Sequence, residues 1–427
     1  MSSSSSSSSS TNSSSSSSTV NSNYSMQTLI PGLPNDISTL IISFVPYSHH
    51  SRLKPVSKSW KHFLSSKKTI ITLRNNHFKS SNLLCIFPQD PSISPPYLFD
   101  FQNRSWCPLP PMPCNPHAYG LSNFISISLG HHIYVLGGSV FDTRSYPMDT
   151  PTPSSSVFRL DVCNNFNTWE KLAPMISPRG SFACIGNPKC GQILVAGGGS
   201  RHPMFNAAGS RLNSVECYSV EKDEWIALDG LPRFRAGCVG FLVGKGEEME
   251  FWVTGGYGES RTVSGVFHVD EYYRDGVILE LKNGGKWKEI GDMWGEGERR
   301  KLGSVVVLDD GGNRDMPVVY MLDGYDIFRY DSSANRWVKE SSVPRKSRID
   351  SSLGFGFVAL DGELHVMSSL KSMVPAVNRR QRYHKKCATL FIQTYSPKRR
   401  AWRSLTTKTP FQSPLDFNTA VMCEIQL

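Results

Sequence analysis

No C-x-x-C pair occurs in this sequence of 427 residues, although it holds 10 cysteines. Several thiols lie inside apolar runs such as Leu83, Leu84, Cys85, Ile86 and Phe87. They therefore read as reduced, buried side chains and not as a disulfide framework or a zinc site. No run of about 18 apolar residues occurs, and the N-terminus offers Ser, Thr and Asn where a secretion signal needs a basic start and an apolar core. Membrane spanning and secretion are not expected; a cytoplasmic or nuclear protein is. Zinc-finger, basic-zipper and RNP-type motifs are missing too, so the net charge of +10 favours acidic partners without indicating nucleic acid. P-loop, G-x-S-x-G and H-E-x-x-H motifs are absent, and Gly197, Gly198 and Gly199 follow a strand pattern without opening a helix. The adjacent pairs His49, His50 and His131, His132 have no third ligand at readable spacing, and the other histidines stand singly. No metal and no cofactor are expected.

What is present describes a folded chain rich in turns: 39% hydrophobic residues and 19% charged, with 34 Gly and 27 Pro. The length asks for two or three domains or one large repeat architecture. Residues 1–26 are nearly all Ser, Thr and Asn, with too little apolar surface to offset the entropy of ordering, and are expected to be a disordered tail.

From Leu29 the pattern changes. Ile37, Leu40, Ile41, Phe44 and Val45 recur at helical spacing, with Asn35 as an expected N-cap and Pro46 as the stop. A short second helix ends before Pro55, and a third, with Pro55 in its first turn, carries Val56, Trp60, Phe63 and Leu64 on one face. Three such helices cannot bury this surface among themselves, which implies a partner. The run Leu29, Ile30, Pro31, Gly32, Leu33, Pro34, Asn35, Asp36, with Val56, Ser57, Lys58, Ser59 and Trp60 downstream, resembles the F-box; Pro55 departs from the family pattern. We place this domain at 27–74.

Residues 82–427 repeat. Tryptophans 106, 169, 225, 287, 337 and 402 are spaced 50 to 65 residues apart, each after an apolar strand rich in aromatics. Gly137 and Gly138, Gly197 and Gly198, and Gly255 and Gly256 close further apolar strands, where a Cβ would obstruct close backbone packing. This ordered recurrence resembles the kelch repeat, with units around 82–106, 119–169, 180–225, 236–287, 302–337 and 352–402. The fold class that follows is mainly β: a six-bladed kelch-type β-propeller preceded by a small three-helix F-box domain. The run 417–427 has strand character but no unit of its own, and is expected to return to the first blade and close the ring.

The combined resemblance, to plant F-box/kelch-repeat proteins, implies a non-catalytic substrate adaptor of a Skp1-cullin-F-box ubiquitin ligase. Its implied partners are a Skp1-type linker protein, a cullin reached through that linker, and a substrate protein. The linker interface is expected at Leu33, Pro34, Ile37, Leu40, Ile41, Phe44, Val56 and Trp60. For the substrate, basic residues recur in loops that a propeller gathers at one end: Arg144, Arg179, Arg201, Arg211, Arg233, Arg235, Arg261 and Arg300. Guanidinium groups suit carboxylate or phosphate. An acidic or phosphorylated segment is therefore expected there, with Phe205, Phe234 and Tyr257 as apolar anchors. An arginine ahead of an inner strand also has a purely structural reading, as a donor to neighbouring backbone. The basic run from Arg379 to Lys386 reads as a solvated loop or an import signal. Two rivals stay open: a kelch-fold enzyme, oxidase or specifier, and a scaffold without substrate turnover.

Overall fold

The computed structural model describes residues 28–77, 82–88, 94–113, 120–141, 152–163, 168–199, 210–244, 248–263, 267–282, 285–295, 302–309, 317–371 and 388–427. The Ser-rich tail and the run 379–386 lie outside these. Four helices come first: α1 (Asn35–Ser43), α2 (Tyr47–Leu53), α3 (Lys58–Ser65) and α4 (Lys67–His77). Two expected details change. Asn35 does not cap α1 but sits in its first turn, where its side-chain Oδ1 accepts from the Leu29 amide at 3.2 Å. The third helix starts after Ser57, whose hydroxyl accepts the Trp60 amide at 3.0 Å, which leaves Pro55 in the preceding turn. The fourth helix is an addition to the expected three, and it holds the others. Arg74 donates to the carbonyls of Ser43 (2.6 Å) and Val45 (2.7 Å), acceptors left over at and just beyond the end of α1, and its guanidinium lies 4.1 Å over the Tyr47 ring.

The rest is antiparallel β structure: six four-stranded sheets, a three-stranded one and a two-stranded one among the described residues. We number the six I to VI and give their strands from the inside outward. Sheet I is Val421–Gln426, Asn82–Phe87, Tyr97–Asp100, Ser105–Pro108; sheet II is Ile125–Leu129, His132–Leu136, Val157–Asp161, Glu170–Leu172. Sheet III is Ala183–Asn187, Gln192–Ala196, Val215–Ser219, Glu224–Leu228; sheet IV is Val239–Val243, Glu250–Thr254, Asp275–Glu280, Lys288–Asp292. Sheet V is Ser304–Leu308, Val318–Asp323, Asp326–Asp331, Arg336–Ser342, and sheet VI is Gly356–Leu360, Glu363–Ser369, Thr389–Ser396, Ala401–Lys408. Innermost strands neighbour one another from I round to VI and back to I, a propeller-like ring about a cavity of ≈ 420 Å³ lined by all six. Sheet I joins distant parts of the chain, because Asn82–Phe87 pairs residue for residue with Val421–Gln426.

Neighbouring sheets are joined by two repeated devices. The first is the tryptophan of the outermost strand, which stands opposite a tyrosine in sheets III, V and VI (Tyr218, Tyr330 and Tyr395). Its indole N–H reaches back to the preceding sheet's trailing segment. Trp169 donates to Pro110 (3.0 Å), Trp225 to Ala173 (3.0 Å), Trp287 to Asp229 (2.9 Å) and Trp402 to the Ser341 hydroxyl (3.0 Å). The second is the Gly-Gly turn. The Gly138 amide donates to the Arg179 carbonyl at 2.9 Å and the Gly198 amide to the Arg235 carbonyl at 2.7 Å, each across a sheet boundary. The contact requires glycine one residue earlier: a Cβ on Gly137 or Gly197 would stand 2.4 Å from the same carbonyl oxygen.

Gly197 has φ +68, and Gly191, with φ +59, has nothing within 4 Å of a Cβ. Gly191→Ala is expected to cost about 1 kcal/mol for the left-handed backbone alone. Gly197→Ala adds the clash and is expected to cost about 3 kcal/mol or more. Urea midpoints of the two variants, at equal slope, check the difference.

Candidate functional site

Two surfaces stand out, one on the helices and one at the far end of the ring. Helices and sheets I and II share a single core: Ile42, Tyr47, Phe63, Leu64, Ile70 and Ile71 pack with Leu83, Cys85, Leu98, Ile133, Leu160 and Ile425. Burial at the centre of this joint is strong enough to push the His50 imidazole down to about 4, while its Nε2 bonds the Val45 carbonyl at 2.9 Å. With the inner side of the helices spent this way, α1 turns Ser38, Ile42 and Ser43 inward.

The opposite side stays apolar and uncovered. Leu33, Ile37, Ile41, Phe44 and Val56 are 38, 44, 46, 39 and 61% exposed, five of the ten exposed large hydrophobic residues among those described. Pro34 is exposed beside them and Leu40 is half-buried. Trp60 belongs more to the interior, packed against the shared core with its indole N–H 2.6 Å from the Leu29 carbonyl. A solvated apolar stripe on a helix pair that is otherwise fixed is the mark of an interaction surface.

At the other end of the ring lie the Gly-Gly turns and the loops that enter the inner strands. The helices join sheet I where its second strand begins, whereas the Gly-Gly turns follow the ends of the equivalent strands. Of the arginines expected to face a ligand there, the structure withdraws two. Arg179 is fully buried, donating to the Gly197 carbonyl (2.8 Å) and to Ser214 (3.0 and 2.9 Å), and paired with Glu216. Arg235 is equally buried, on the Gly255 carbonyl (2.9 Å) and the Asp275 carboxylate (2.8 and 2.9 Å). Both are struts: the main-chain carbonyl grips the previous sheet's turn while the guanidinium grips the turn of its own sheet. Removing Glu216 or Asp275 alone would leave a buried cation without its counter-charge.

Arg144, Arg201, Arg300 and Phe205 lie outside the described residues, and Arg261 lies in the strand Tyr257–Val263, opposite Val269. Arg211 and Tyr257 come together, the guanidinium 5.6 Å from the ring centroid and donating to the Gly258 carbonyl at 3.0 Å, but Tyr257 is buried and is not the exposed anchor that was expected. Phe234 is 54% exposed, next to Arg233, which stacks 4.5 Å over Tyr273. Tyr272 (40% exposed) and Ile176 (57%) share this end of the ring and were not singled out in the sequence. The one available signal was the polar company of Tyr272 and Tyr273, unlike the apolar strand that follows them. Ile176 is held outward by Glu216, which accepts the amides of Ile176 (2.8 Å) and Ser177 (2.9 Å).

The central cavity presents mostly small and apolar side chains, with Glu424 as its carboxylate. Although the side chain is exposed to the cavity, desolvation by the surrounding strands, helped by the nearby charge of Asp361, pushes that group up to about 7. Among the described residues no three His, Cys, Asp or Glu side chains group as a metal site, and no helix is long and apolar enough to cross a membrane.

Comparison with known proteins agrees with this division. The F-box domain profile matches residues 30–72, and the Kelch motif profile matches 122–176 and 190–232. The chain is 57% identical over 415 residues to the F-box/kelch-repeat protein OR23 of Arabidopsis thaliana, covering 94% of this chain and 92% of that protein. It is 30% identical to the F-box protein AFR of the same plant, over 54% of this chain and 56% of that one. With the F-box/kelch-repeat protein SKIP20 it shares 28% identity over 62% and 67%. An F-box profile on the helices, kelch profiles on the ring, and a relative this similar along nearly the whole length place the chain in the plant F-box/kelch-repeat family.

Proposed function

We propose that the chain is the substrate-recognition subunit of a Skp1-cullin-F-box ubiquitin ligase, with no catalytic step of its own. The observation that carries this reading is the exposed apolar stripe of Leu33, Ile37, Ile41, Phe44 and Val56 on helices whose other side is locked into the ring. A Skp1-type linker protein would cover that stripe, together with Pro34, Leu40 and the accessible edge of Trp60, and bring the cullin with it. We read the six four-stranded sheets as the six blades of a kelch propeller, whose Gly-Gly end holds the substrate protein. The subunit then acts by proximity, raising the concentration of its substrate at the ligase's transfer site.

Within that end, Phe234, Tyr272 and Ile176 offer apolar anchors, and Arg233 and Arg211 offer donors beside aromatic rings. Arg179 and Arg235 support the surface from beneath without touching the substrate. An acidic or phosphorylated segment fits the guanidinium chemistry, and a cytoplasmic or nuclear location fits a ligase of this type.

Ile37→Asp with Ile41→Asp is expected to weaken binding of the purified linker protein by at least 100-fold. The melting temperature should stay within about 2 °C of the parent, since both side chains face solvent. Calorimetry and thermal melting check the two halves; wild-type affinity for the linker would sink the assignment. At the other end, Arg233→Glu with Phe234→Ala is expected to lower crosslinking to cellular substrate proteins at least fivefold while linker binding stays unchanged. Undiminished crosslinking would place the substrate elsewhere on the ring.

A further inference from the structure

The strand pair that closes sheet I sets two cysteines directly against each other: Cys85 is the register partner of Cys423. Directly opposed residues in an antiparallel pair have Cα atoms about 4.5 or 5.5 Å apart. Both values fall within the range of roughly 4.4 to 6.8 Å that a disulfide spans. Both residues are buried in the core shared by the helices and sheets I and II. Other strand cysteines have no such partner: Cys107, Cys184 and Cys217 stand opposite Leu98, Val195 and Leu194.

Two further features single out this pair. The Ser126 hydroxyl, from the inner strand of sheet II, donates to the Cys423 sulfur at 3.1 Å and fixes that side chain at the boundary between the two sheets. Residue 423 also borders the central cavity, which gives a small molecule a route to the seam, whereas Cys85 is wholly enclosed.

We propose that Cys85 and Cys423 form an oxidation site, at which a small hydroperoxide entering the central cavity converts the seam of the ring into a covalent staple. In the first step the Cys423 sulfur attacks one peroxide oxygen. An S–O bond forms, the O–O bond breaks, and the leaving oxygen departs as water after taking the thiol proton. The Cys85 sulfur then attacks the sulfenic sulfur, forming the S–S bond and expelling a second water. In balance, two thiols and one hydrogen peroxide give one disulfide and two waters: the thiols lose two electrons and two protons, and the peroxide is reduced.

The consequence is specific to this position. Every other sheet is made from one continuous stretch of chain, so the ring can part at sheet I without breaking a local hairpin. A bond between residues 85 and 423 ties the two ends of the ring together and removes that mode of opening. Because the loop closed by the bond is very long, its effect on the unfolded chain is near the top of the range for a disulfide.

The test uses the full chain with Cys190→Ser, which removes an exposed thiol. The folded, reduced protein is treated with hydrogen peroxide, the remaining thiols are alkylated, and the digest is analysed without reduction. The expected result is a peptide pair joined through Cys85 and Cys423. It should be accompanied by a melting temperature higher by about 5 °C, reversed by dithiothreitol. Cys423→Val and Cys85→Val should each abolish the peroxide-induced shift. The proposal is overturned if the joined peptide does not form in the folded chain, whether the thiols stay free or stop at sulfinic acid. It is equally overturned if the shift persists in Cys423→Val. Should either variant fail to fold, the peptide map of the chain with both cysteines intact decides alone.

Discussion

A four-stranded sheet that buries both faces is unstable alone, so every sheet here depends on what its neighbours supply at the boundary. At four of the six boundaries the supply is an indole N–H aimed backward: Trp169 to Pro110, Trp225 to Ala173, Trp287 to Asp229 and Trp402 to Ser341. Each bond links the start of one sheet's outermost strand to the end of the outermost strand of the sheet before it or to the segment just beyond that strand. Those segments must cross from the rim to the axis to begin the next inner strand, and their backbone would otherwise lack a partner there. The bond therefore sets the angle between sheets and, for Trp169, Trp225 and Trp287, also satisfies a carbonyl. At sheet V the boundary is made with backbone instead, the Trp337 amide on the Met293 carbonyl at 3.0 Å.

Near the axis the same boundary is held by the arginine struts. Their chemistry explains why residue types that suggest ligand binding are consumed by the fold. A guanidinium has five donors in a fixed fork. Arg179 spends them on three carbonyls, those of Ser177, Gly197 and Ser214, and on a hydroxyl and a carboxylate. The expectation of a ring of arginines facing a ligand failed at Arg179 and Arg235 for this reason: a loop that enters an inner strand passes beneath the surface. Arg233, two residues earlier, remains on it.

Much of the architecture was legible because its signals are local and repeated. Trp spacing, Gly-Gly closures and the Leu-Pro opening of the helical region each record a demand of one turn or one strand. The Gly-Gly reading was right about the obstruction by a Cβ, although only coordinates reveal that the obstructed atom is an arginine carbonyl of the next sheet. Less legible was anything decided across sequence distance. The fourth helix was not foreseen: the run Thr69, Ile70, Ile71, Thr72 and Leu73 fell inside the bounds 27–74 but has strand-like composition. What makes that segment helical is the burial of Ile70 and Ile71 against sheet I and the pairing of Arg74 with α1. On α1 the apolar spacing was plain, but which residues face outward depended on the core beneath Ile42. Ile176 and Tyr272 gave little sign at all, since exposure at a loop is set by what holds the loop.

The seam in sheet I also bears on how the protein is made. Asn82–Phe87 leaves the ribosome more than 300 residues ahead of its inner partner, Val421–Gln426. At about 5 to 20 residues per second, roughly 20 to 70 s separate the two. Throughout that interval sheet I has three strands and an open hydrogen-bonding edge, and the core beneath the helices lacks Ile425. The nascent chain thus carries an unfilled strand position at its N-terminal end, the kind of edge that invites pairing with a neighbouring chain. The helices that precede it gain their full footing only when Val421–Gln426 has been added.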